Sequence, residues 1–238
     1  MNRYRWFFSG VAVVLLLGPA LRLGADEAPP DFTNPDWKKL GITLVTPRTD
    51  PKTGFVVGGK NPTSRIRMLT EINGRRIADL EKDMRPGVRS EVGSTAGFLG
   101  PDEKLLDILA ADNRYVVEER GLTHQELAKH LHVLGAIGRQ HRYQGKEQVT
   151  VLYHGRRFRI EATVYKGYQE SPFYDDTRTD TDVTVVNLTN GKKLWYSLLV
   201  PHLVERYGFY EGKGTRYRLE PQKALELLDF LDKKPARP

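Results

Sequence analysis

The stretch Thr123–Ile137, read as THQELAKHLHVLGAI, constrains the fold more than any other part of the chain. Thr123 and Glu126, three residues apart, form a capping box in which each side chain satisfies a backbone N–H left free at a helix start. Gly121 stops whatever precedes it. Leu127, His130, Leu131, Leu134 and Ile137 then recur at intervals of three and four, which makes one continuous helical stripe. Burial of the three leucines and the isoleucine stabilises by roughly 1.5–3 kcal/mol each before ordering entropy is subtracted.

After Gly138 the period switches from 3.6 to 2. Val149, Val151 and Tyr153 alternate with polar or outward residues, and Phe158, Ile160, Ala162 and Val164 alternate with Arg157, Arg159, Glu161 and Thr163. A two-residue turn at His154-Gly155 sets Val151 opposite Phe158 and Val149 opposite Ile160, so one face of the hairpin is apolar and the other charged. A polar loop is expected over 166–181. A second hairpin follows around Asn190-Gly191, pairing Val186 with Trp195 and Val185 with Tyr196. Helices are expected at 101–111, 123–138 and 221–232, with shorter helical pieces at Arg114–Arg120 and Leu198–Tyr207. Gly135 and Gly138 mark close approach of the long helix to its neighbours. The predicted fold class is therefore α+β, with antiparallel hairpins packed against a few helices.

The N-terminal third is looser. Short strands are expected at 42–46 and 55–57, and period-2 character over Arg65–Ile72 leads into a hairpin turn at Asn73-Gly74. Ala78–Met84 looks helical and is stopped by Arg85-Pro86-Gly87. Residues 85–100 are glycine-rich and read as a flexible connection. The expected organisation is a leader at 1–25, an extended and hairpin segment at 26–95, an α+β core domain at 96–233, and a disordered tail at 234–238.

Residues 1–25 have the layout of a secretory signal peptide: Arg3 and Arg5, an apolar run from Trp6 to Leu17, then small residues at Gly18, Ala20, Gly24 and Ala25. Cleavage after Ala20 satisfies the small-x-small rule, whereas cleavage after Ala25, the preferred site, leaves a polar Asp-Glu-Ala-Pro-Pro start. The run is shorter than the roughly 20 apolar residues of a spanning helix, which favours export with cleavage over a retained anchor. No other stretch is apolar enough to span. The chain has no cysteine, which removes a lipid-modified cysteine, disulfides, thiolate metal sites and thiol nucleophiles together. Of the formal charge of +7, three positive charges (Arg3, Arg5 and Arg22) lie in the leader, and their removal leaves +4. That modest excess suits solubility and weak attraction to anionic surfaces, and is no nucleic-acid signature.

Five of six histidines lie between 124 and 154. Their spacing does not place two on one helix face, and His130 falls within the leucine stripe as a hydrogen-bonded core residue, so no metal site is expected. The acidic run Asp175–Asp182 lacks the ligand positions of a calcium loop. Gly208–Thr215 departs from a phosphate loop in spacing and context. Val116–His130 partly fits a helix-turn-helix, but a secretory leader separates the protein from DNA. The feature that remains is the outer face of the first hairpin and its rim: Arg156, Arg157, Arg159, Tyr165, Lys166 and Tyr168. Arginine beside tyrosine suits anionic or sugar-like polymers through forked hydrogen bonds and stacking.

At Asp36–Ile42 (DWKKLGI), Ile77–Gly87 (IADLEKDMRPG) and Gly208–Gly214 (GFYEGKG) the chain resembles a group of uncharacterised exported bacterial proteins. The resemblance implies export and a shared domain, and carries no catalytic residues. The expectation is a non-catalytic binding or envelope-associated module acting on an anionic or carbohydrate polymer, with no cofactor and no nucleic-acid partner. The alternative is a hydrolase, with or without a metal ion held by Asp and His from different elements.

Overall fold

The structure, a computed structural model, describes residues 28–87 and 96–231. The expected leader, the middle of the glycine-rich connection and the tail lie outside the described residues. Helix α4, His124–Tyr143, starts as expected: Thr123 accepts from the Glu126 N–H, and Glu126 accepts from that of Thr123. It continues one turn and more beyond the expected end at 138, with His141 and Arg142 in its last turn where they face the negative end of the dipole.

Below α4 lies a four-stranded antiparallel sheet in sequential order: β5 Gln148–Tyr153, β6 Arg156–Glu170, β7 Arg178–Asn187 and β8 Lys193–Ser197. The first hairpin has the expected register, with Val151 opposite Phe158 and Val149 opposite Ile160. His154 (φ 48°) and Gly155 (φ 70°) supply the left-handed pair that such a two-residue turn requires. The second hairpin is offset by two residues from expectation. Trp195 faces Thr184, and Val185 faces Leu194, because the connection spans Leu188–Gly191 rather than Asn190-Gly191 alone. A slip of two preserves the faces, so the apolar pattern cannot register it. The loop expected at 166–181 is also shorter than that, since β6 and β7 continue pairing to Glu170 and Arg178.

The leucine stripe of α4 meets Val151, Phe158, Ile160, Val183, Val185 and Tyr196 in one buried core. The two glycines set the contact distance as expected. A Cβ at Gly138 would sit 2.7 Å from Ile160 Cγ2, and one at Gly135 would sit 2.4 Å from Leu198 Cδ2.

A second core gathers Ile66, Ile72, Leu80, Met84, Phe98, Leu99, Leu105, Leu109, Phe173 and Phe209. It therefore draws on both sides of residues 88–95. Helix α1, Thr63–Arg67, replaces the strand expected from Arg65: Ile66 and Leu69 are buried three residues apart, while Met68 is 80% exposed. The hairpin at Asn73-Gly74 is present, joining β3 Glu71–Ile72 to β4 Arg75–Arg76, and α2 Ile77–Asp83 follows directly. Near 42–46 no strand forms; the short pair is β1 Arg48–Thr49 with β2 Val56–Val57. Helix α3, Leu105–Asn113, begins later than expected, where the Leu105 N–H donates to the Glu81 carboxylate. Arg114–Glu119 continues it as a π-helical turn. Helix α5, Leu199–Tyr207, joins the two cores: Val200 and Val204 enter the first, and Leu199, Leu203 and Tyr207 the second. The chain closes with α6, Pro221–Leu227, and a 3-10 turn at Asp229–Leu231.

Polar groups are buried where the cores meet, and they are chained together. Thr63 accepts from Asn113, whose side-chain oxygen lies 3.2 Å from His124 Nε2, and His124 Nδ1 lies 3.0 Å from the Tyr210 hydroxyl. Beside them Arg218 donates two bonds to Asp112, at 2.6 and 2.7 Å, and a third to the Glu211 carbonyl. No helix among the described residues is long and apolar enough to cross a membrane.

Candidate functional site

Strand β6 sorts the sequence-predicted residues by parity. Arg157, Arg159, Glu161 and Thr163 alternate with buried Phe158, Ile160 and Ala162, so they share the outer face of the sheet. Arg156 has the opposite parity to Arg157 and Arg159. Arg156 is tied into the fold, its guanidinium 3.0 Å from Asp229 in the C-terminal turn. Arg159 leans towards Glu161 at 3.8 Å. The six residues of the expected patch therefore do not form one surface.

A bulge decides where the aromatic part goes. The β6–β7 register shifts between Val164 and Gln169, which takes Tyr165, Lys166 and Tyr168 out of the ladder. Bulges re-aim side chains in this way. Tyr165 and Tyr168 become walls of a pocket of about 190 Å³, lined also by Gln169, Asp182, Ser197 and Tyr217.

The floor of this pocket is polar and incompletely bonded. The Ser197 hydroxyl accepts from the Leu199 N–H and donates to Gln169 Oε1 at 2.9 Å. That fixes the amide so that its Nε2, buried, has no hydrogen-bond partner among the described residues. A buried donor of this kind costs free energy until something accepts from it. Asp182 is 4% exposed, and Tyr217 donates to it at 3.3 Å. Burial raises its carboxyl above the ordinary value, against the opposing pull of Tyr165, Tyr217 and Arg216. Burial and the Asp182 charge push the Tyr217 phenol up to about 12. Nearby Glu211 is wholly buried and pushed up to about 8, so it keeps its proton at neutral pH.

Aromatic and cationic groups rim the opening. Trp195 and Tyr217 stack at 4.9 Å with 21° between their planes, and the Arg216 guanidinium lies over both rings. Arg178 lies over Tyr168 at 4.7 Å. The result is a small concavity with phenol walls, one unused amide donor and a carboxyl acceptor, which is the chemistry that recognises a polyhydroxylated ring.

Gln169, Asp182, Ser197 and Tyr217 were not singled out by sequence reasoning. Only Asp182 carries a readable signal, since alternation in TDTDVTVV places it opposite Val183 and Val185. The histidines scatter as their spacing implies. His124 joins the buried polar chain, and His130 is a core residue 2.7 Å from the Tyr153 hydroxyl. His154 stacks on Phe230 at the hairpin turn, and His132 turns towards Glu205 on α5. Among the described residues no group of three or more His, Asp or Glu side chains is arranged to hold a metal ion. Comparison with protein-family models, with curated proteins and with solved structures gives no match.

Proposed function

We propose that this protein is an exported, envelope-associated binding module that holds a carbohydrate polymer bearing anionic groups along the outer face of its sheet. The tyrosine pocket takes one sugar ring, and Arg157 and Arg159 lie along the strand towards the opposite end of that face. The observation that supports this reading best is the unpartnered Gln169 Nε2 beside Asp182, enclosed by phenol rings. The pocket is smaller than the roughly 300–1,000 Å³ that accepts drug-sized ligands, which suits one ring of a longer chain. Export rests on the leader-like first 25 residues and on the resemblance to exported bacterial proteins.

The test is retention of the mature protein on insoluble cell-wall polysaccharide. Tyr165→Ala and Gln169→Ala are expected to weaken retention about tenfold or more, a change of about 1.4 kcal/mol or more. Arg157→Ala with Arg159→Ala should weaken it less, and mainly at low salt, because exposed charges are screened. Absence of retention on every polymer tried would remove the proposal, and release of soluble fragments would replace binding by hydrolysis. N-terminal sequencing of the exported fraction should begin after Ala20 or Ala25; an intact leader on a cytosolic form would overturn the compartment.

A further inference from the structure

A second cavity, of about 240 Å³, lies against the start of β7, and Thr179 lines both it and the tyrosine pocket. One wall is the segment Leu40–Thr43, and the other carries His132 and Arg139 from α4, His202 from α5 and Arg178 from β7. Each imidazole is backed by a carboxylate from a distant part of the chain. His202 Nε2 lies 2.7 Å from Asp175 Oδ2, and the Tyr207 hydroxyl donates to the same oxygen at 2.8 Å. His132 Nε2 lies 3.3 Å from Glu205 Oε2, off the line of a hydrogen bond, while Glu205 Oε1 accepts from the Val45 N–H at 2.7 Å. Burial by itself raises both carboxyls. The imidazoles, with the Tyr207 hydroxyl at Asp175 and the Val45 N–H at Glu205, outweigh it and hold both below their ordinary values. Both are therefore anionic near neutral pH.

Two consequences point to a ligand. With Nε2 turned to a carboxylate, Nδ1 of each ring has no hydrogen-bond partner among the described residues. The two carboxylates already face imidazole, so they do not neutralise the arginines. Neither Arg139 nor Arg178 has a carboxylate within ion-pair distance among the described residues, and the Arg178 guanidinium lies over the Tyr168 ring. Unpaired guanidinium groups offer forked N–H donors to an oxyanion. At His202 a carboxylate bonded to one ring nitrogen fixes the imidazole and leaves the other nitrogen for a ligand.

We propose that this cavity is a binding site for a phosphate-type oxyanion, gripped by Arg139 and Arg178 and contacted by His132 and His202. The cavity exceeds what a bare phosphate fills, so free phosphate and a phosphate ester share the chemistry. The site borders the tyrosine pocket through Thr179 and through Arg178, whose guanidinium lies over the Tyr168 ring, while Arg139, His132 and His202 line this cavity alone.

Calorimetric titration of the mature protein with inorganic phosphate, then glycerol phosphate, then a glycerol-phosphate polymer tests the assignment. Saturable binding of at least one is expected, and the tightest of the three identifies the source. Arg139→Gln should weaken it about tenfold or more, consistent with loss of a charge-assisted pair. Tyr165→Ala should leave it unchanged. The Arg139 side chain makes no hydrogen bond or ion pair among the described residues, so its variant is expected to melt as the parent does. A His132→Gln variant that melts normally should also bind more weakly. Binding of none of the three, an unaffected Arg139→Gln variant, or equal binding of acetate with the same mutational response would each overturn the proposal.

Discussion

Asp182, in the wall of the tyrosine pocket, and Asp175, behind His202 of the histidine cleft, both hold their carboxyls largely away from water, and yet the two carboxyls are shifted in opposite directions. Asp182 is 4% exposed, and the side chain of Asp175 is 5% exposed. Burial pushes both carboxyls up. Around Asp182 the closest hydrogen-bonding partners are the phenols of Tyr165 and Tyr217, which compensate too little, and the carboxyl stays raised. Around Asp175 an imidazole at 2.7 Å and a phenol at 2.8 Å reverse the balance. Depth alone therefore does not set the direction of the shift; the basicity of what touches the carboxylate does. The tyrosine pocket sets its carboxyl among phenols, whereas the carboxylates behind the histidine cleft face imidazoles.

The largest effect that would break this contrast comes from Asp175→Ala, which strips His202 and Tyr207 of a shared buried acceptor. Chemical denaturation should show a loss of about 3–5 kcal/mol, as for other buried pairs deprived of one partner; a loss below 1 kcal/mol would mean that the cleft is solvated. Acid stability sharpens the same point. Burial holds His124 and His130 at about 4, below the ordinary 6.5. Each folded imidazole binds its proton less readily than the unfolded one. Its contribution is thus complete above pH 6.5 and declines as pH falls towards 4, by up to roughly 3 kcal/mol apiece. Asp175, being lowered, adds a second decline beneath its ordinary 3.8. Melting temperature against pH should show both limbs, and imidazole NMR shifts should report His130 neutral at pH 5.

Smaller still is the expected cost of Glu205→Gln, about 1 kcal/mol, because the His132 contact is poorly aligned while the Val45 bond survives. Asp182→Asn should lie within about 0.5 kcal/mol of the parent, or above it. The raised carboxyl gives its stability in full only below its ordinary 3.8 and loses it as pH rises through the raised value. The amide should therefore gain on the parent as pH increases, and a variant that loses ground with pH would contradict the contrast.

Local elements were legible because their causes are local. The capping box of Thr123 and Glu126, the stripe from Leu127 to Ile137 and the left-handed pair at His154-Gly155 all act within a few residues. The second hairpin was legible as to faces and not register, since Leu188–Gly191 could be turned in more than one way without moving an apolar side chain. The patch from Arg156 to Tyr168 was read as one surface, and the bulge after Val164 divided it.

The amino-acid order by itself determined that a cysteine-free α+β chain would lay a capped helix across paired ribbons, because periodicity and turn chemistry are written in neighbouring positions. Tertiary structure alone brought Gln169 to Ser197, Asp175 to His202 and His132 to Glu205. Those partners lie tens of residues apart, and no local free energy distinguishes them until the two cores close around α5.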